Sequence, residues 1–250
     1  MCVVVDMRIL LVGGTGIPSK RTLSCQRHHW PLPSHPSNTR PGSGPCSVTC
    51  APSGTIGQAV HDELSRDNEV ILAGRSAAVK VDLNSSDSIR SMFEAVGKVD
   101  AVISTAGQST FAPLESLTPQ SFNVGLQSKL LGQINLVLIG QEFVADGCCF
   151  ILTGGFLARV PLKATSNLAA VNAGLSAFAK TAACETTRGM RINVVSPGLV
   201  TESVPKYGPF FPGFGSVPAA RVALGYRRAL FSGLTGTTFE IADVIANEHS

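Results

Sequence analysis

Tyrosine is nearly missing from this chain: Tyr207 and Tyr226 are the only two, and the residues four positions after them are Phe211 and Leu230. No tyrosine therefore has a lysine one helical turn away. Charge is also scarce, at 15% of 250 residues with a net +3. Residues 17–53 hold Lys20, Arg21, Arg27 and Arg40 and no acid. The remainder is thus close to neutral, and no basic stripe for nucleic acid is expected. No run of about 18 apolar residues occurs, and the apolar start is broken by Asp6 and Arg8. Neither a membrane span nor a basic-leader signal peptide is expected, and the default is a soluble cytoplasmic protein. The seven cysteines are odd in number, and Cys25, Cys46 and Cys50 crowd into one segment, which argues against a disulfide framework. Cys148, Cys149 and Cys184 read as reduced core residues.

What the chain does have is alternation. Short apolar runs at 8–14, 69–74, 101–107, 149–155, 191–198 and 236–241 read as buried strands. Amphipathic stretches at 56–67, 87–97, 118–144, 166–187 and 219–233 read as helices. Strands without polar alternation, separated by helices, predict an α/β fold: a Rossmann-like doubly wound parallel sheet in a three-layer α/β/α sandwich. The whole chain, 1–250, is expected to be a single domain with ligands beyond the carboxyl ends of its strands.

Residues 17–53 interrupt that order. Seven of fifteen prolines, three of five histidines and the lone tryptophan, Trp30, lie there, with neither period. Such a composition predicts a disordered insertion. It falls inside a glycine-rich turn: without residues 17–54 the chain runs LVGG-TG-TIGQAV, and without 15–52 it runs LVGG-SG-TIGQAV. Either form restores a G-x-x-G-x-x-G turn from Gly13, Gly14, Gly16 or Gly54, and Gly57, with Thr55 and Ile56 opening the helix. Such a turn brings backbone N–H groups to a pyrophosphate at a helix N-terminus. Retained non-coding sequence is the best fit to the insert. A zinc knuckle from Cys25, His28, His29, His35, Cys46 and Cys50 matches no common ligand spacing, so no metal is expected; a long surface loop is the third reading.

Outside the insert, the order of motifs resembles the short-chain dehydrogenase/reductase family. The resemblance rests on the glycine turn, Arg75 in LAGRS, VDL at 81–83, STAG at 104–107, the long helix around Lys129, and RINVVSPGLVTES from Arg191. It implies a nicotinamide cofactor. Arg75 and Ser76 stand where an acid would accept from a ribose 2′-hydroxyl, so NADP rather than NAD is implied. By the same resemblance Asp82 and Leu83 flank the adenine, Ala106 and Gly107 approach the ribose, and Pro197, Gly198 and Thr201 serve the nicotinamide amide. The implied reaction interconverts a small alcohol and its carbonyl, in a homodimer or homotetramer packed through the long helices.

The catalytic positions depart from the family. Aligned back from RINVVSPG, the family's tyrosine position holds Leu168 and its lysine position Asn172, while Thr153 carries the one hydroxyl near the usual serine. On the long helix Lys129 replaces the family's asparagine. Gly125, Lys129, Gly132 and Gln133 form a stripe at helical spacing, so a cofactor or another backbone could come close to the lysine. Shielded from water, its amine would have a lowered pKa and act as an acid or Schiff-base former. Lys129, Thr153 and Asn172 are the candidate catalytic residues; a solvated lysine and a structural asparagine are the plainer alternatives. An NADP-binding sensor or scaffold without catalysis, or a mis-spliced product with impaired cofactor binding, would show the same sequence. The aromatics of 203–218 (Tyr207, Phe210, Phe211, Phe214) fall where the fold builds a lid and point to an apolar substrate.

Overall fold

A computed structural model describes residues 7–13 and 54–243. Strand β1 (Arg8–Val12) is followed, beyond residues 14–53, by α1 (Thr55–Leu64), β2 (Glu69–Ala73), α2 (Ser86–Val96) and β3 (Ala101–Ser104). Next come α3 (Pro119–Gly125), a π-helical segment Leu126–Leu131, α4 (Gly132–Gly140) and β4 (Cys149–Thr153). The chain ends its described part with α5 (Ser166–Ala182), β5 (Arg191–Pro197), the single turn α6 (Val204–Tyr207), α7 (Ala219–Phe231) and β6 (Thr238–Ile241). The six expected strands form one parallel sheet in the order β2-β1-β3-β4-β5-β6. Val79, just before the VDL motif, adds only a single bridge to Ala73.

Both faces of the sheet are covered, which is why its strands lack polar alternation. On one face Leu10, Val12, Val102, Phe150 and Leu152 pack against α2, α4 and α5 through Phe93, Leu136 and Leu175. On the other, Ile9, Leu11, Ile103 and Ile151 meet α1 and α7 through Val60, Leu64, Val222 and Tyr226. A third, smaller apolar cluster of Phe156, Leu157, Leu168, Leu199 and Phe211 sits above the carboxyl ends of the strands. Full burial of each large side chain contributes roughly 1.5–3 kcal/mol.

The stretch expected as one helix over 118–144 differs in two ways. It starts at a capping box, where Thr118 accepts from the Ser121 N–H and Ser121 accepts from the Thr118 N–H. It then widens into π geometry at Leu126–Leu131 before resuming as α4, and it stops at Gly140, four residues early. Apolar periodicity alone does not separate α from π, because both keep the same residues against the sheet locally. Cys148 and Cys149 are buried free thiols as expected, whereas Cys184 is exposed, because the helix around it ends at Ala182.

Gly140 marks the closest approach of α4 to the core. A Cβ there would lie 2.5 Å from Phe93 Cζ and 3.2 Å from Phe150 Cε1. Both rings are held on all sides, so neither can withdraw cheaply. Gly140→Ala is expected to lower the stability by about 1–3 kcal/mol, read as a fall in the urea midpoint at unchanged slope.

Candidate functional site

The strand order reverses between β1 and β3, since β2 lies to one side of β1 and everything after β3 to the other. Neighbouring loops part at such a point and leave a crevice beyond the carboxyl ends. Two connected hollows occupy it. The smaller, about 230 Å³, runs from Val12 and Gly13 past Arg75, Asp82 and Leu83 to Ala106 and Gly107. The larger, about 580 Å³, shares Thr105, Ala106, Gly107 and Gln108 with it and extends over Ile56, Lys129, Asn172, Pro197 and Gly198 to the aromatic cluster.

Most of the sequence-derived positions converge here. Gly13 donates to the Ala73 carbonyl. A Cβ on Gly74 would lie 2.9 Å from Gly13 O, so this glycine lets the ends of β1 and β2 meet. Gly54 caps α1 without a side-chain bond, and Thr55, Ile56 and Gly57 form its first turn. Arg75 lines the smaller hollow and Ser76 follows it. Asp82 Oδ1 accepts from the backbone and side-chain N–H groups of Asn84. Gly107 has φ +136°, and a Cβ there would sit 2.7 Å from Lys129 Cγ. Gly14 and Gly16 lie outside the described residues, as do the candidate ligands of the zinc-knuckle reading. Among the described residues no group of three His, Cys, Asp or Glu side chains could hold a metal.

Lys129 sits in the middle of the π segment. Its ammonium donates to the Gly154 carbonyl at 2.9 Å, and desolvation lowers its pKa from 10.5 to about 8. The glycines on its stripe serve a different purpose from the close cofactor approach anticipated. A Cβ on Gly125 would collide with the Asn167 amide, and one on Gly132 would lie 3.0 Å from Leu83 Cβ. Asn167 is fully buried and needs that space to accept from Thr110 N and donate to Phe122 O. The glycines thus admit protein, and the lysine alone on that stripe reaches the larger hollow.

Gln133 fixes what lies opposite. Completely buried, it accepts from Thr153 N at 2.8 Å and donates to Thr153 O and Lys129 O, each at 3.1 Å. Thr153 lines the larger hollow, and its hydroxyl donates to Ser104 O and pairs with the Tyr226 hydroxyl at 2.6 Å. Burial raises the pKa of that phenol well above its usual range. Sequence reading treated Tyr226 only as a missing acid; its buried partnership with Thr153 joins residues 73 apart and has no local signature.

Asn172 is 2% exposed on α5, and its Oδ1 has no partner among the described residues. A Cβ on Gly155 would lie 2.7 Å from Asn172 Nδ2, so the Gly154–Gly155 segment is held between the lysine and the asparagine. Leu168 lines the same hollow. Pro197 ends β5 in register with Ile241, and Gly198 donates to Ile241 O. Thr201 does not line the hollow: its hydroxyl donates to Ser216 Oγ at 3.0 Å and its N–H to Val217 O. Phe111 was missed by sequence reading; it stacks on Tyr207 with centroids 5.3 Å apart.

A family model described as enoyl-(acyl carrier protein) reductase matches residues 57–226. The crystal structure of the protein lin1944 from Listeria innocua is 40% identical, covers 94% of this chain and 100% of its own, and superposes with a TM-score of 0.78. The chain belongs to the short-chain dehydrogenase/reductase family. A small-chain dehydrogenase solved in complex with NADPH shares the fold, with 22% identity, a TM-score of 0.72, and coverage of 96% of this chain and 98% of its own. An uncharacterized oxidoreductase of Methylorubrum extorquens, MexAM1_META1p0182, is 22% identical over 229 residues, 81% of this chain and 89% of its own length. No helix among the described residues of this short-chain dehydrogenase/reductase is long and apolar enough to cross a membrane.

The lowered lysine pKa has a thermodynamic signature. Between pH 8 and 10.5 the unfolded chain still holds the Lys129 proton that the folded chain has released, so folding stability rises with pH across that window. Relative to Lys129→Met, the wild-type protein is expected to gain about 1–3 kcal/mol from pH 8 to pH 10.5. Chemical denaturation of both proteins at several pH values measures it; parallel curves would mean an ordinary, solvated lysine.

Proposed function

We propose that this family member is an NADP(H)-dependent reductase of small carbonyl compounds in which Lys129 protonates the substrate oxygen. The observation that carries this reading is the Lys129 ammonium, desolvated and held by Gly154 O at the wall of the hollow beyond β4. The residues present fit a dinucleotide. The two connected hollows cross the carboxyl edge of the sheet, Arg75 lines the end that would receive a 2′-phosphate, and Asn172 Oδ1 is a buried acceptor in need of a donor. Bound NADPH would supply the hydride.

Everything else falls to the chain. Arg75 and Ser76 select the phosphate, Leu83 and Ala106 flank the adenosine, and Gly107 leaves room beside the lysine stem. Asn172 accepts from a ligand hydroxyl or amide. Lys129, with a pKa lowered to about 8, is charged enough to donate and acidic enough to give up its proton as the carbonyl oxygen becomes an alkoxide. The Thr153 hydroxyl, committed to Ser104 and Tyr226, orients the end of β4 rather than the substrate. Pro197 and Gly198 close the far wall. In this reading the charge that helps protonate the substrate comes from the π segment, and the asparagine comes from α5.

A second reading, an NADP-binding sensor or scaffold, is favoured by Leu168 lining the hollow and by the engagement of the Thr153 hydroxyl. NADPH binding followed by fluorescence, together with NADPH consumption over a panel of aldehydes and ketones, separates the two. Turnover reduced by about 10²–10⁴-fold in Lys129→Met, with NADPH binding retained, is expected for the reductase. Binding without turnover in the unaltered chain would establish the sensor. The same titration on a chain lacking residues 17–54 tests the insert: tighter binding by the shorter chain is expected if those residues are foreign to the glycine turn.

Assembly through the long helices is part of the same proposal. Val124, Leu131 and Leu138 are exposed apolar residues along α3 to α4, and a lone apolar residue would need no explanation whereas a row does. Light scattering is expected to give a dimer or tetramer, with Leu138→Glu shifting it towards monomer.

A further inference from the structure

The larger hollow is lopsided in charge. Two lysines, Lys129 and Lys206, line it, and among the described residues no aspartate or glutamate does. Of the residues outside the described structure, 14–53 contain no acid, while 1–6 and 244–250 hold Asp6 and Glu248. The carboxylate nearest in sequence to Lys206 is Glu202, one helical turn before it, and both its oxygens accept from Ala219 N at the start of α7, at 3.2 and 3.0 Å. Lys206 makes no ion pair among the described residues; its ammonium lies over the Tyr207 ring, 4.9 Å from the centroid. A cation on a wall with no counter-charge among the described residues raises the local anion concentration, and low-dielectric walls sharpen that effect.

The rest of the wall is aromatic. Phe111 stacks on Tyr207, and Phe211 packs against both Phe111 and Phe156. The two cations differ in surroundings. Lys129 is desolvated and bonded to Gly154 O, next to the strand ends, whereas Lys206 is exposed on α6 at the rim. An occupant that satisfies all of this has an apolar body against the rings, an oxygen at Lys129 and a negative charge at the rim.

We propose that the site takes a small anionic carbonyl compound with an aromatic or branched body, whose carboxylate is received by Lys206 while the body packs on Phe111, Phe156 and Phe211. The carbonyl part of this assignment rests on the reductase reading; the charge preference rests on the wall alone. Lys206 is thereby a specificity-determining residue, and the lid is selective for charge as well as for shape.

Benzoylformate and methyl benzoylformate differ in that one charge and are suitable probes. Their binding to the full chain is measured by calorimetry, alone and with saturating NADP⁺, where a ketone cannot be reduced. The acid is expected to bind about three- to tenfold more tightly than the ester at low salt, with the margin shrinking as salt is raised. Lys206→Gln should bring the two affinities together, and Lys206→Arg should keep them apart. Equal binding of acid and ester, binding of neither, a preference that survives Lys206→Gln, or one that disappears only in Lys129→Gln would each overturn the proposal. Acid preference without any NADPH consumption would remove the reductase reading and leave the anion site standing. Reduction of neutral ketones with no acid preference would do the reverse.

Discussion

Gln133 is the tie on which the site depends. Its buried amide meets both backbone groups of Thr153 at the end of β4 and the Lys129 carbonyl in the π segment. Leaving even one of those groups unpaired away from water would cost about 1–3 kcal/mol, so helix and strand cannot slide past one another. The Gly154 carbonyl is consequently held where the Lys129 ammonium can reach it. Thr153, anchored from one side by Gln133 and from the other by Ser104 and Tyr226, transmits that constraint through the sheet to α7.

The π segment carries Lys129, whose carbonyl takes part in the tie. A regular α-helix repeats its side-chain directions every 3.6 residues, and the wider turn changes the phase by part of a residue. In this chain Gly125 and Gly132 become contact points with Asn167 and Leu83, and Lys129 is left between them with its stem against Gly107. One desolvated cation, one asparagine oxygen unpartnered among the described residues and a segment of two glycines between them then meet on one wall of the crevice. Around it the chain uses small residues wherever backbone must come close: Gly74 to Gly13, Gly155 to Asn172, Gly198 to Ala242.

Much of the fold was legible in the residues. Six apolar runs were expected as strands and six parallel strands occur, because full burial on both faces removes polar alternation and leaves a signal that needs no tertiary information. The candidate site was legible in outline: Lys129, Asn172, Gly107 and Pro197 were marked and all line the larger hollow. Thr201 was marked and does not, since a bond to Ser216, fifteen residues on, claims its hydroxyl. Phe111 went unmarked, because a single aromatic in a loop has no period. The early end of the long helix at Gly140 was also hidden, since the apolar pattern continues through Phe143 and Val144, which pack on the core from a turn.

The amino-acid sequence by itself determined the layer order, the strands and the absence of a tyrosine–lysine pair, all of which are set by residue type and spacing along the chain. Tertiary structure alone decided which hydroxyls and amides face the crevice. Thr153 gives its hydroxyl to Tyr226, Asn167 gives its amide to Thr110 and Phe122, and Asn172 keeps an oxygen unpartnered among the described residues. A polar side chain is available for chemistry only if no nearer group has taken its hydrogen bonds, and those competitors lie up to 73 residues away in this chain. That competition is settled in three dimensions, and spacing along the sequence carries no record of it.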